Sequence, residues 1–345
     1  MKNHEKKKIL NEIFAPKPEE KILFLLNKKT DSYPESREIA LNWFNIFQQM
    51  GESTGFSVKK IELDLVNQNN APLTEEIVDE IKKVNIVIAL TEYSITSSIA
   101  TVCFEKNSIT RGASIIGMNK KMEDIIFNTN YKEIKDLSIK IENILNRAVG
   151  ASIKFSSGDN IYIDLRNRKA GSDRGECVCI GQFINLPSGE GFKSPYEGVK
   201  EEKSNFGESK TEGVLPLKMK NELIKINVKN NKIIDVIGKT EEAEKLKLFF
   251  DENESRRNIA ELGIGCNKNA KIIGKTIVDE KVGLHIAYGM SSHIGGKIYS
   301  DIHQDIVYSK GCDIEAENLI LINDDKTKTE LIKNSILNYD LIEKI

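Results

Sequence analysis

Apolar runs in the first part of the chain alternate with amphipathic stretches. Lys21-Ile22-Leu23-Phe24-Leu25-Leu26 and Asn85-Ile86-Val87-Ile88-Ala89-Leu90 have the length and continuity of buried strands, and residues 113–118 form a third such run. Residues 57–63 alternate as a strand does. Between these runs, 36–50 carry apolar positions at helical spacing up to Gly51, and 95–105 and 131–148 predict further helices. Residues 74–84 also predict a helix, N-capped by Thr74, with Glu75 and Glu76 in its first turn. Residues 1–20, charged and holding Pro16 and Pro18, predict a short helix and a loose lead-in. Strands alternating with helices imply βαβ units around a largely parallel sheet.

The pattern changes near Val149-Gly150. Beyond it stand short β-like runs at 152–155, 160–165, 176–180, 224–228 and 232–237, the last after an Asn230-Asn231 turn. Residues 241–250 form the one clear helix, and the polar stretch 198–213 reads as an exposed loop. The expected architecture is therefore α/β: an N-terminal α/β domain over 1–150, then a mostly β (α+β) catalytic domain over 151–345.

A length of 345 residues fits two domains of roughly 150 residues each. The 50 Lys+Arg and 52 Asp+Glu are intermixed and sum to −2, which argues against a dedicated nucleic-acid or anionic-membrane binder. No apolar run approaches the roughly 20 residues of a membrane-spanning helix, and the start Met1-Lys2-Asn3-His4-Glu5 is no secretory signal. Five cysteines then read as reduced thiols in the cytoplasm. Cys177-Val178-Cys179 has no second pair to make a zinc ribbon and reads as core packing on a strand.

Only 4 histidines are present, and three of them, His285, His293 and His303, fall close together. In an extended segment, residues two apart share a face, so His303 and Asp305 can address one ion. Two other stretches set a carboxylate among glycine and apolar residues: Asn185-Leu186-Pro187-Ser188-Gly189-Glu190-Gly191 and Ala260-Glu261-Leu262-Gly263-Ile264-Gly265. Buried there, a charged carboxylate needs a cation. Glu190, Glu261, Glu280 and Asp305 supply oxygen ligands, and His285 and His303 supply nitrogen. Such an inventory suits two divalent ions about 4 Å apart sharing a carboxylate and activating a water.

These stretches resemble, in order, the motifs of the thermophilic-type metallo-aminopeptidases, the M29 or aminopeptidase T/S family. Asn185 to Glu190 resembles its NLPxGE motif, Glu261-Leu262-Gly263 its GE-containing segment, Asp279-Glu280 with His285-Ile286-Ala287-Tyr288-Gly289 its DE…HIAxG segment, and His303-Gln304-Asp305 its HxD. The resemblance implies a dinuclear centre (zinc, cobalt or manganese) that removes N-terminal residues from peptides with a free N-terminus. It would make Glu190, Glu261, His285, His303 and Asp305 the metal ligands, and Glu280 an additional ligand or an acid/base group working beside Glu261. A homodimer with an enclosed active site is the family's habit.

The chain departs from that pattern in places. Ser292, followed by His293, stands where the family has a Tyr, Ala260 replaces the Gly before Glu261, and Gln304 replaces an aromatic residue. Two rival readings follow. A mononuclear non-haem iron dioxygenase that opens dihydroxypyridine rings needs only two His and one carboxylate, which His285, His303 and Asp305 provide. A non-catalytic relative would keep the metal pocket without turnover, and the missing Tyr motivates that reading.

Overall fold

The computed structural model describes residues 2–30, 32–66 and 68–344. The backbone divides into two compact units: the chain through Lys135 with Asp173–Ser188, and Asp136–Ser172 with the chain from Gly189 onward. Among the described residues no helix is long and apolar enough to cross a membrane.

The first unit is built on a fully parallel five-stranded sheet, in the order Ser57–Leu63, Lys21–Asn27, Ile86–Thr91, Arg111–Ile116, Phe183–Asn185. Leu23, Leu25, Val87 and Ala89 are fully buried and pack with Ile81, Ile99 and Val102, so the continuous apolar runs are strands covered by helices. Trp43 is fully buried, its indole N–H donating to Glu123. The helix expected to close at Gly51 runs on, as Pro34–Thr54. Gly51 sits inside it against Phe56, and Gly55, at φ 95°, ends it. Thr74 precedes the helix Glu75–Lys82 but makes no side-chain capping bond. The β-like run expected at 176–180 is irregular: Cys177 is buried there while Cys179 is exposed, so the two thiols share no strand face. The buried guanidinium of Arg111 explains this path, since it donates to the carbonyl of Cys177 and to that of Phe14 while pairing with Glu20.

The second unit is β-rich. One sheet has eight strands, with Ala148–Phe155 between Asn160–Asp164 and Ala316–Asn323 at its centre. The other has five, in the order His303–Val307, Leu284–Gly289, Ile259–Gly265, Glu190–Lys193, Ala170–Asp173. Asn230 and Asn231, at φ 52° and 65°, make the tight turn into Lys232–Ile237. The polar stretch 198–213 is more than an exposed loop. It holds the helix Lys200–Phe206; Glu202 is buried against Arg168, and Ser209 and Thr211 are buried too, Thr211 Oγ1 accepting from the Asp164 N–H. The second half also has helices besides Glu241–Glu252, among them Tyr339–Glu343.

The five-stranded sheet of this unit has two unlike faces. Leu262, Ile264, Leu284, Ile286 and Ile306 point into a core shared with Ile153, Phe155, Ile161 and Leu215 of the eight-stranded sheet. The alternate positions are Glu261, Gly263 and Gly265, then His285, Ala287 and Gly289, then His303 and Asp305. One face is hydrocarbon, and the other carries Glu190, Glu261, His285, His303 and Asp305, whereas Glu280 lies outside the sheet in the turn Glu280–Val282.

Candidate metal centre

Strand register brings the candidates together. Glu261 lies opposite Ala287, and Ala287 opposite Asp305; Gly263 pairs with His285, Gly265 with Glu190, and Gly289 with His303. Side chains that carry ligand atoms therefore alternate with positions that carry almost none, which leaves room for the ligand side chains. Gly263 is the tightest of these: a Cβ there would fall 1.9 Å from His285 Nε2.

Two groups result, joined at Glu261. Glu190, Glu261 and His285 form one, and Glu261, His303 and Asp305 the other; within each, the candidate donor atoms all lie within 4.8 Å of one another. His285 Nε2 is 3.4 Å from Glu190 Oε2 and 3.5 Å from Glu261 Oε1. His303 Nε2 is 3.2 Å from Glu261 Oε2 and 3.8 Å from Asp305 Oδ1. Each oxygen of Glu261 thus serves a different imidazole. His303 Nδ1 donates to the carbonyl of Met290 at 2.7 Å, and His285 Nδ1 faces that of Gly283 at 3.4 Å. Both arrangements give Nδ1 a carbonyl acceptor and turn Nε2 toward the carboxylates, the orientation a metal-binding imidazole requires.

Electrostatics agree with a cation-seeking site. Burial disfavours both imidazolium ions, yet hydrogen bonds to Glu261 and the surrounding carboxylate charges prevail, pushing His285 up to about 10 and His303 up to about 9. Burial works against the Glu261 carboxylate too, but hydrogen bonds from His285 and His303 hold it well below the usual range. Glu190 Oε2 is buried with no hydrogen-bond partner. A divalent cation satisfies what these groups lack, and the mixed imidazole–carboxylate set suits zinc, cobalt, manganese or iron(II).

Glu280 stands apart from both groups. It opens the short 3-10 turn Glu280–Val282, and its Oε1 pairs with Lys281 Nζ at 2.8 Å. Burial first, then the charges of Asp305 and Glu190, push its pKa up to about 8 against the opposing pull of Lys281. Lys281 also donates to Glu190 Oε1 at 2.6 Å. Sequence reasoning passed over this lysine, whose burial nothing in its local sequence announces. His293 is exposed, and its ring meets that of His303 edge-on, centroids 4.7 Å apart. Behind them Glu197, missed as well, accepts from Arg168, from Ser291 Oγ and from the backbone N–H of Lys297, fixing the loop that carries His293.

No family model matches the chain, and no curated protein sequence matches it. Two solved structures share its fold along almost the whole length. One is a 2,5-dihydroxypyridine dioxygenase from Pseudomonas putida KT2440, with TM-score 0.68, 14% identity and 98% of each chain covered. The other is wild-type AmpT from Thermus thermophilus, with TM-score 0.64, 15% identity, 97% of this chain and 99% of that one covered. At such identities the likeness is one of fold. The chain thus joins a fold shared with an enzyme to a cluster of Glu, His and Asp side chains able to bind a metal ion.

Proposed function

We propose that this chain is a metal-dependent aminopeptidase that hydrolyses the first peptide bond of substrates with a free N-terminus. One observation carries the reading: Glu261 is flanked by two imidazoles and belongs to two candidate ligand groups, as a carboxylate bridging two ions would. Glu190, Glu261 and His285 would hold one ion and Glu261, His303 and Asp305 the other. Bound there, divalent ions supply Lewis acidity and a water of lowered pKa. The chain's own contribution is positional and protonic. The carbonyls of Met290 and Gly283 orient the imidazoles, and Glu280, a buried carboxyl, carries a proton to the leaving amine.

A second reading rests on the fold shared with the dioxygenase and on His285, His303 and Asp305, two imidazoles and one carboxylate, although His285 falls in a different candidate ligand group from the other two. The peptidase is preferred because Glu190 and Glu261 have no place in a mononuclear triad. The test is release of amino acids from aminoacyl substrates by protein loaded with zinc, cobalt or manganese, with metal counted per chain. Two ions and turnover are expected, and Glu261→Gln or His285→Ala should abolish activity and lower metal content. Ring opening of dihydroxypyridines dependent on iron(II) and oxygen, with no amino-acid release, would sink the peptidase. By the same resemblance we propose a cytoplasmic homodimer, to be checked by light scattering.

A further inference from the structure

Among the described residues Lys281 is the ammonium paired with the centre's carboxylates, with 1% of its side chain exposed. It lies 2.6 Å from Glu190 Oε1 and 2.8 Å from Glu280 Oε1. Its place is fixed by backbone. Asn267 N–H donates to the Lys281 carbonyl and Gly265 N–H to that of Gly283, so the turn is laced to the end of the Glu261 strand. Gly265 permits that contact, since a Cβ there would fall 2.2 Å from the Glu280 carbonyl oxygen. The consequence is a division of oxygens. Glu190 spends Oε1 on the ammonium, and only Oε2 is left near His285, buried and without a hydrogen bond. Glu280 is drawn to the same ammonium and belongs to neither candidate ligand group.

We propose that Lys281 is a positioning residue of the metal centre. It acts as a built-in monocation that presents Glu190 to a divalent ion through one oxygen and keeps Glu280 out of the ligand set. The inference rests on the metal-centre reading above. It assigns Glu280 to proton transfer, because a carboxylate engaged by an ammonium and held back from the ion can still exchange a proton with substrate. It also assigns Lys281 a cost: a positive charge close to the ion opposes binding of that ion.

Cobalt(II) binding by the full-length protein tests this without reference to turnover, using competition with a chromophoric chelator, native mass spectrometry for stoichiometry, and the visible absorption of bound cobalt. Glu280→Gln, nearly isosteric, is expected to keep the wild-type number of ions and the wild-type absorption band. Lys281→Met is expected to tighten cobalt binding by at least about 10-fold and to alter the band as Glu280 joins the ion. In the double variant Lys281→Met/Glu280→Gln the part of the band change due to Glu280 should be lost, and what remains reports the freed Glu190 Oε1. Loss of an ion in Glu280→Gln overturns the proposal, as does a folded Lys281→Met that binds cobalt no more tightly than wild type. Should Lys281→Met fail to fold, the Glu280→Gln result decides alone. Glu190→Gln and Glu261→Gln separate the two levels. Unchanged cobalt binding in both sinks the metal centre itself, whereas loss in them without the expected Glu280 and Lys281 pattern sinks only the role of Lys281.

Discussion

Gly263 shows how much of the centre depends on what a residue lacks. Its neighbour across the strands is His285, and the space a methyl group would take is held by the imidazole. Gly263→Ala is expected to push the ring out of line and weaken divalent-metal binding about 10- to 100-fold, the usual cost of losing the support of a ligand. Circular dichroism should stay native while metal titration shows the loss; unchanged affinity would mean the ring has room to move. At this scale much was legible in the sequence. Scarce histidines and carboxylates set among glycines marked Glu190, Glu261, His285, His303 and Asp305, which the strand register gathers on one face. Lys281 and Glu197 were not legible, because a buried lysine or glutamate is spelled like an exposed one. Only the partner, which lies 91 residues away for Lys281 and Glu190, distinguishes them.

Among the elements, the segment between the strands Leu284–Gly289 and His303–Val307 contributes most to the site without supplying a ligand of its own. The Met290 carbonyl accepts a hydrogen bond from His303 Nδ1, and Asn258 donates to the carbonyl of Gly289. Ser291 and Lys297 both donate to Glu197, a buried carboxylate that is also paired with Arg168. Glu197→Gln removes the charge while keeping the shape, and leaves Arg168 to Glu202. It should destabilise the unit by about 1–3 kcal/mol and speed hydrogen exchange across 289–298, with denaturant melts and exchange mass spectrometry as the measures. Exchange at the wild-type rate would show that the segment holds without the clamp. Strands were the harder elements to read in this half. Ile259–Gly265 is buried at every position, its site face offers only Glu, Gly and Gly, and a bulge between Ile259 and Glu261 interrupts the alternation. The parallel strands of the first unit, apolar on both faces, were plain. The segment 176–180 misled because its β-like composition serves contacts to Arg111 and Gln182 instead of a ladder.

For the molecule as a whole, each of the two units has a core of its own, and each should respond to a different variable. The first unit buries Glu123 beside Lys6, Lys120 and the Trp43 indole. Burial opposes its charge, but the two lysines outweigh burial and lower its pKa in the fold. A lowered folded pKa gives stability that is present above the unfolded value of about 4.3 and is lost as pH falls through the folded one. Melting of this unit should therefore weaken below about pH 4.3, and Glu123→Gln should cost about 3 kcal/mol at neutral pH while flattening that acid limb. An acid limb of unchanged slope would point to other carboxylates. The second unit should respond to metal instead: zinc or cobalt at 100 times its Kd adds about 2.7 kcal/mol, reversed by a chelator. Exchange protection should rise in 259–265 and 284–289; a rise confined to the first unit would contradict the site. The two-part α/β and β-rich character was legible from the change in apolar rhythm. The return of 173–188 to the first unit was not, since three residues, Phe183–Asn185, are too short a run to announce a strand. That return governs the order of events during synthesis. When the first four parallel strands have left the ribosome, the free edge of Arg111–Ile116 has no neighbour, and it stays open until residues 183–185 emerge. A nascent chain stalled at about residue 150 therefore carries an unsealed sheet, which makes that stretch of translation the interval in which a chaperone has most to protect.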